Sequence, residues 1–213
     1  MIILDLFQKG GIIMWPIFGV ALIAFFLIIY KSIQIYRFSF YYRRFNQFDE
    51  INNRLKEKQF QQAKEICIHN GPVEKIFIKG IEYIEATFQE DAIKDRLEMI
   101  YDNELHLLER GLPIILILGE ILPMLGLLGT VSGMIHVFQA ISVYGASNAQ
   151  GMASGISEAL LTTQTGLALA IPTLFCYTLL NSQIDSLAKH MRQAGASIVT
   201  ISRVMSNKNV QKN

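Results

Sequence analysis

Between Gly111 and Ile184 this chain carries only two charged side chains, Glu120 and Glu158, in an apolar background threaded with Gly, Ser, Thr and Pro. A hydrocarbon core about 30 Å thick takes roughly 20 apolar residues per helix. The stretch therefore predicts two membrane-crossing helices joined by a short polar turn near Ala146–Gly151. A simple anchor has no need of so many small hydroxyl residues, and their density points to close helix packing around a polar, ion-conducting path.

Composition agrees with a membrane protein. Of 213 residues, 51% are hydrophobic and only 17% charged, too apolar for a soluble domain of this size. The net charge is +1 and the charges are interleaved, so no basic face marks a nucleic-acid partner. Cys67 and Cys176 lack CxxC or Cys/His ligand spacing and read as reduced bystanders. His69, His106, His136 and His190 are scattered, and nothing pairs them into a metal site or with a serine nucleophile. The sequence offers no enzyme constellation and no cofactor motif.

The uncharged run Gly10–Tyr30, bounded by Lys9 and Lys31, is longer than a signal-peptide core and has no small-x-small cleavage site. It reads as an uncleaved first span. Orientation follows from Lys31, Arg37, Arg43 and Arg44 after this span, Arg110 before the second, and Lys189, Arg192 and Arg203 after the third. The opposite side has only Asp5, Lys9 and an uncharged turn. The expected layout is residues 1–11 outward, 12–30 first span, 31–110 a cytoplasmic helical domain, 111–144 second span, 145–151 a periplasmic turn, 152–182 third span, and 183–213 a cytoplasmic helix and tail. The fold class is all-α, an integral membrane protein with three transmembrane helices and long cytoplasmic helical extensions.

In the cytoplasmic segment Phe77, Ile81, Ile84, Phe88, Ile93, Leu97, Ile100 and Leu107 recur at helical spacing. Asn70-Gly71-Pro72 separates a helix of about Phe48–Ile68 from one starting near Val73, expected to run directly into the second span. Residues from Ser206 onward read as a frayed tail.

The chemistry sits in the last two spans. Gly126, Gly129, Thr130 and Gly133 fall at i, i+3, i+4 and i+7, which strips one helix face of bulk; Gly129-xxx-Gly133 is a small-xxx-small spacing for close helix contact. Thr130 sits within it, either bonded back to a carbonyl one turn earlier or facing a path. In the third span Glu158, Thr162 and Thr165 stack at i, i+4 and i+7, beside a stripe of Ala159, Thr163, Gly166 and Ala170 that leads to Pro172. An ionised Glu is costly in hydrocarbon unless it meets water or a partner, so this face should line an interior. Counted from the turn, Thr130 and Thr163 lie at comparable depth and can face one lumen. His136 reads as a hydrogen-bonding residue near the outer end of the second span, and Trp15 and Tyr144 as members of an aromatic belt.

Gly126-Leu-Leu-Gly129-Thr130-Val, Gly133-Met-Ile-His136, Glu158-Ala-Leu-Leu-Thr-Thr163, Gly166-Leu and Ile171-Pro172 together resemble the ExbB/TolQ/MotA proton-channel family, ExbB most of all. The three-span layout resembles ExbB and TolQ, whereas MotA-type stators have four spans. The resemblance implies a homopentamer around a central pore in a bacterial inner membrane, N-terminus periplasmic and C-terminus cytoplasmic. It would enclose two copies of a single-span ExbD- or TolR-like partner whose transmembrane Asp carries the ion. Force would pass to TonB for outer-membrane uptake or, in a TolQ-like alternative, to TolA for envelope integrity; a non-conducting scaffold is the third reading.

In that family Thr130 and Thr163 match pore threonines and Glu158 the third-span Glu, with Thr162 and Thr165 adding to the path. Gly126, Gly129, Gly133, Gly166 and Pro172 would serve helix packing. No cofactor is implied beyond the coupling ion, H+ or Na+. Doubled Thr162-Thr163 resembles sodium-driven stators, which would place transient Na+ at Thr130, Thr162 and Thr163. Glu120 departs from the family pattern, and a cytoplasmic-side ion exit and a salt bridge both stand open for it.

Overall fold

A computed structural model describes residues 10–44, 47–57, 59–67, 71–86, 89–145 and 148–210, and among them the structure is entirely helical. Seven helices follow in order: α1 Met14–Arg44, α2 Gln47–Lys56, α3 Phe60–Ile66, α4 Pro72–Glu85, α5 Glu90–Glu109, α6 Leu112–Tyr144 and α7 Ala149–Val210. Three stretches are long and apolar enough to cross a membrane, in Met14–Tyr36, Glu90–Tyr144 and Ala149–Met205. The chain divides into a unit of residues 1–31 and 111–179 and a second of residues 32–110 and 180–213.

In the first unit α6 and α7 pack side by side, antiparallel. The buried positions on α6 are Leu112, Ile115, Gly119, Leu122, Gly126, Gly129, Gly133 and Val137, in steps of three or four. Gly155, Ala159, Thr162, Gly166, Ala170 and Thr173 are buried on α7, also in steps of three or four. This is the 3.5-residue seam of a coiled coil, with glycine where a soluble seam has leucine. Ile17 of α1 closes the bundle against Leu122 and Ala170, flanked by Ile13, Val20, Ala21, Leu125 and Leu169.

The second unit is a bundle with a conventional aliphatic core. Ile51 and Leu55 of α2, Ala63 of α3, Ile76, Phe77 and Ile81 of α4, and Ile93, Leu97 and Leu108 of α5 are buried. The C-terminal part of α7 buries Ile184, Leu187, Met191, Ala194, Ile198 and Ile201 at the same three-and-four spacing. Gly80 of α4 lies flush against Ile198, where a Cβ would stand 2.7 Å from Cγ1. At the bundle surface Lys64 pairs with Glu85 at 2.6 Å and Lys75 with Glu104 at 2.8 Å. Arg203 Nε donates to Glu90 Oε1 at 2.8 Å, and this guanidinium holds the Glu90 carboxyl below its usual range.

Several elements differ from the sequence expectation. The helix before the second span does not run into it: α5 ends at Glu109, Gly111 adopts φ +93°, and α6 starts at Leu112. The cause is Gly111-Leu112-Pro113. Glycine tolerates the left-handed conformation, and the proline ring at the start of α6 is preorganised for a helix N-terminus while lacking the amide that would continue α5. The stretch 48–68 is two helices, broken at Glu57–Gln59, where the Arg54 guanidinium spans the break to Gln59 Oε1 at 2.8 Å and Gln62 Oε1 at 3.0 Å. The helix starting near Val73 likewise ends at Glu85, and α5 restarts from an extended Gln89 with Glu90 and Asp91 in its first turn, where the helix dipole favours acids. Leu107 is 52% exposed and Leu108 takes the buried position. Helix α7 continues through Val210, so the residues read as a tail from Ser206 begin as helix. Asp5, Lys9, Ile68, His69, Asn70, Phe88, the turn residues Ala146 and Ser147, and residues 211–213 lie outside the described residues.

Cys67 is buried, with its Sγ donating to Ala63 O at 3.3 Å. Burial, with the Glu74 carboxylate adding to it, pushes this thiol up to about 12. Only the thiolate is nucleophilic. Alkylation of Cys67 at pH 8, followed by peptide mass spectrometry, should run on the order of a thousandfold slower in the folded protein than in denaturant, since an exposed thiol has a pKa near 8.5. Equal rates would show that the thiol is not held in this environment.

Candidate functional site

The glycines of α6 set how near α7 can come. A Cβ on Gly126 would stand 3.0 Å from Thr163 Cα, and one on Gly166 2.6 Å from Leu122 O. At Gly133 the corresponding contacts are Gly155 O at 2.6 Å and Ala159 N at 2.7 Å. These are backbone atoms, which cannot swing aside. Gly119 meets Leu174, and Gly155 meets Val137 and Gly133 O at 2.7 and 2.8 Å. Those two positions extend the seam one step beyond the residues singled out from sequence. The three-and-four alternation of small residues carries on to them and is the signal that finds them.

Thr162 fills the notch at Gly129. It is wholly buried, and its Oγ1 donates to Glu158 O and Ala159 O, 3.0 and 2.9 Å away. Its hydroxyl is thus enclosed between the two helices, although Thr162 keeps the helical line it shares with Glu158 and Thr165. Pro172 is exposed on α7. Its effect is local, since its ring lacks the amide that would bond Ala168 O.

The other hydroxyls of α7 divide in two. Thr165, Thr173 and Thr178 donate to the carbonyls one turn back, Leu161, Leu169 and Leu174, at 2.8–2.9 Å, the ordinary use of a threonine in an apolar helix. Thr163 reaches across the seam instead, its Oγ1 donating to Gly126 O at 2.9 Å. That carbonyl can be approached because Gly126 has no side chain. On α6 Thr130 Oγ1 donates to Leu127 O at 2.6 Å, the back-bonded arrangement. The two threonines therefore use the carbonyls of adjacent α6 residues, Thr130 that of Leu127 within its own helix and Thr163 that of Gly126 across the seam. Both are half-buried.

Nearer the Gly145 end, Glu158 Oε2 lies 2.9 Å from His136 Nδ1. The carboxylate is mostly covered, its side chain 14% exposed against 52% for the imidazole. Its other oxygen and Cδ lie against Gly11, which precedes α1 with φ +66°; a Cβ there would meet Cδ at 2.7 Å. One carboxylate thus joins all three apolar segments. Glu120 is exposed on α6, and no ion pair among the described residues includes it. No cluster of His, Cys, Asp or Glu among the described residues has metal-site geometry.

A family model described as the MotA/TolQ/ExbB proton channel family matches residues 68–193, more than half of the chain. The chain belongs to that family. The matched segment contains the whole α6–α7 seam, both threonines and the His136–Glu158 pair. Among curated relatives, a biopolymer transport protein ExbB homolog from Methanothermobacter thermautotrophicus is 28% identical over 94% of this chain and 72% of its own length. ExbB-like protein 3 from Synechocystis is 34% identical over 78% of this chain and 79% of its own length. The solved structure of C. jejuni MotAB shares the fold, with a TM-score of 0.51 at 20% identity, covering 90% of this chain and 69% of that one. As a member of this proton channel family, the chain is a membrane protein, in keeping with its three stretches long and apolar enough to cross a membrane.

The seam makes a prediction with opposite signs at two glycines. Gly129→Ala puts a methyl onto Thr162 and should lower the thermal stability of the detergent-solubilised protein by the ~1–3 kcal/mol typical of overpacking. Gly195→Ala, in the part of α7 that belongs to the second unit and with nothing within 4 Å, should raise it by about 0.5–1 kcal/mol. A stable Gly129→Ala protein would show that the packing face is wrongly assigned.

Proposed function

We propose that this chain is an ExbB-like motor subunit that turns an ion gradient into work on TonB for nutrient uptake across an outer membrane. The observation that carries the reading is Thr163, whose hydroxyl crosses the glycine seam to Gly126 O next to the carbonyl that Thr130 uses, inside the family-matched segment. Hydroxyls of this kind both donate and accept, so they can support a proton-carrying water chain. The second face of each threonine is open to a partner helix. The described site supplies hydroxyls but no carboxylate beside them. The ion carrier is therefore assigned to a single-span ExbD- or TolR-like protein bearing a transmembrane Asp, two copies inside a homopentamer of this chain. Gly126, Gly129, Gly133 and Gly166 keep α6 and α7 at the spacing that places the hydroxyls, and Thr165 and Glu158 lie above and below them on α7.

Protons are the coupling ion favoured by the family description. A sodium site built on Thr130, Thr162 and Thr163 would need the Thr162 oxygen, which is closed between the helices. The chain sits in this reading in a bacterial inner membrane, with its N-terminus and the turn after Tyr144 in the periplasm and residues 32–110 and the end of α7 in the cytoplasm.

The first experiment is affinity purification from the native membrane with mass spectrometry of the bound chains. An Asp-bearing single-span protein at about two copies per five supports the motor, with TonB alongside it; TolA in place of TonB moves the pathway to the TolQ-like role in envelope integrity. In proteoliposomes of that complex, Thr163→Val should cost at least about tenfold in proton flux without changing the subunit ratio, and replacing Na+ by K+ should leave wild-type flux unchanged. Undiminished flux in Thr163→Val takes the hydroxyl off the path and favours the scaffold reading.

A further inference from the structure

Of the polar contacts in the apolar unit, the His136–Glu158 pair is the one that ordinary helix packing leaves unexplained. The pair lies within the spans. His136 is eight residues from the Tyr144 end of α6 and Glu158 nine from the start of α7, about 12 and 14 Å along helices rising ~1.5 Å per residue. The two groups differ in what surrounds them. The carboxylate is enclosed by His136, Gly11 and the seam, whereas half of the imidazole surface is open. An ionised carboxylate only accepts hydrogen bonds, so with Glu158 in that form Nδ1 is the donor of the 2.9 Å contact and Nε2 keeps a lone pair. Besides these two, the charged side chains of this unit among the described residues are Glu120 and Lys31; Glu120 lies sixteen residues away along α6 and Lys31 ends the segment of α1 in this unit.

We infer that His136 is a proton-relay residue that loads Glu158 from the periplasmic side. This inference rests on the motor reading above and assigns the chain's own uptake step within it. A proton from outside binds Nε2, giving an imidazolium paired with the carboxylate. The Nδ1–H bond then breaks as Oε2–H forms, which leaves a neutral imidazole bearing its proton on Nε2 and a neutral Glu158. Glu158 passes that proton inward to the transmembrane carboxylate of the single-span partner of the motor reading, toward the level of Thr163 one and a half turns further along α7, and is left ionised. The exposed ring resets through water, Nε2 releasing a proton and Nδ1 taking one up, so each cycle moves one proton inward. Gly11 holds the carboxylate in place: its missing side chain and positive φ let the segment before α1 close over Oε1 and Cδ.

The test uses the full complex with its co-purifying partner in proteoliposomes, reading proton flux under an imposed gradient. His136→Gln keeps a donor that can bond Glu158 but has no second nitrogen to take up a proton. Flux should fall at least about tenfold with subunit ratio unchanged, in the range set by losing a positioned proton-transfer group. His136→Ala should fall as far and recover when imidazole is added to the outer medium. Wild-type flux in His136→Gln overturns the relay. Loss in both variants without imidazole rescue, in complexes of normal composition, also overturns it, leaving His136 a hydrogen-bonding prop for Glu158. These results are distinct from failure of the motor reading itself, in which the wild-type complex conducts no protons and Thr163→Val changes nothing.

Discussion

The close approach of α6 and α7 is the constraint from which the rest of the apolar unit follows. Lipid tails are as apolar as leucine, so two helices in a membrane gain little from burying bulk and gain most from letting backbones touch. Gly119, Gly126, Gly129 and Gly133 face Gly155, Ala159, Thr162, Gly166 and Thr173 in a seam that repeats every three or four residues. At that distance a threonine hydroxyl on one helix can reach a carbonyl on the other, and Thr163 reaches Gly126 O. A leucine in the seam would hold the helices apart, and the hydroxyl would return to its own helix as those of Thr165, Thr173 and Thr178 do.

The second unit is built on the opposite principle. It packs isoleucine, leucine, valine and phenylalanine in the manner of a soluble bundle, with Lys64–Glu85, Lys75–Glu104 and Arg203–Glu90 at its surface. Exposed pairs of this kind contribute little individually in water. Its stability comes from apolar burial, and that of the first unit from close packing and polar contacts in a medium without water. Helix α7 takes part in both, and its composition changes accordingly, from Gly, Ala and Thr at the seam positions to Ile, Leu and Met beyond Leu180.

The threonines of α7 show how one residue type divides by position. Thr162, next to Thr163, differs from it by one step around the helix. That step, about 100°, turns its side chain into the notch of Gly129 and encloses it, while Thr163 stays half-buried with its hydroxyl across the seam. Helical spacing correctly puts Glu158, Thr162 and Thr165 near one line, yet it does not say which side of that line meets a neighbouring helix.

Hydropathy and charge in the sequence determined that the chain is helical, where its three apolar stretches lie and that its small residues cluster on helix faces, because these depend on local composition and period. The family was likewise legible in the spacing of Gly126, Thr130, Glu158 and Thr163. The break at Gly111 is written in Gly111-Leu112-Pro113, where a left-handed glycine meets a proline in the first turn of the next helix. Only the tertiary structure decided which hydroxyls cross the seam, that Thr162 is enclosed and Pro172 exposed, and that His136, Glu158 and Gly11 meet. Those outcomes depend on the rotation of α6 and α7 about their axes and on the register between them, which no single helix contains. Residues 22 positions apart in sequence, such as His136 and Glu158, become neighbours only when that register is fixed.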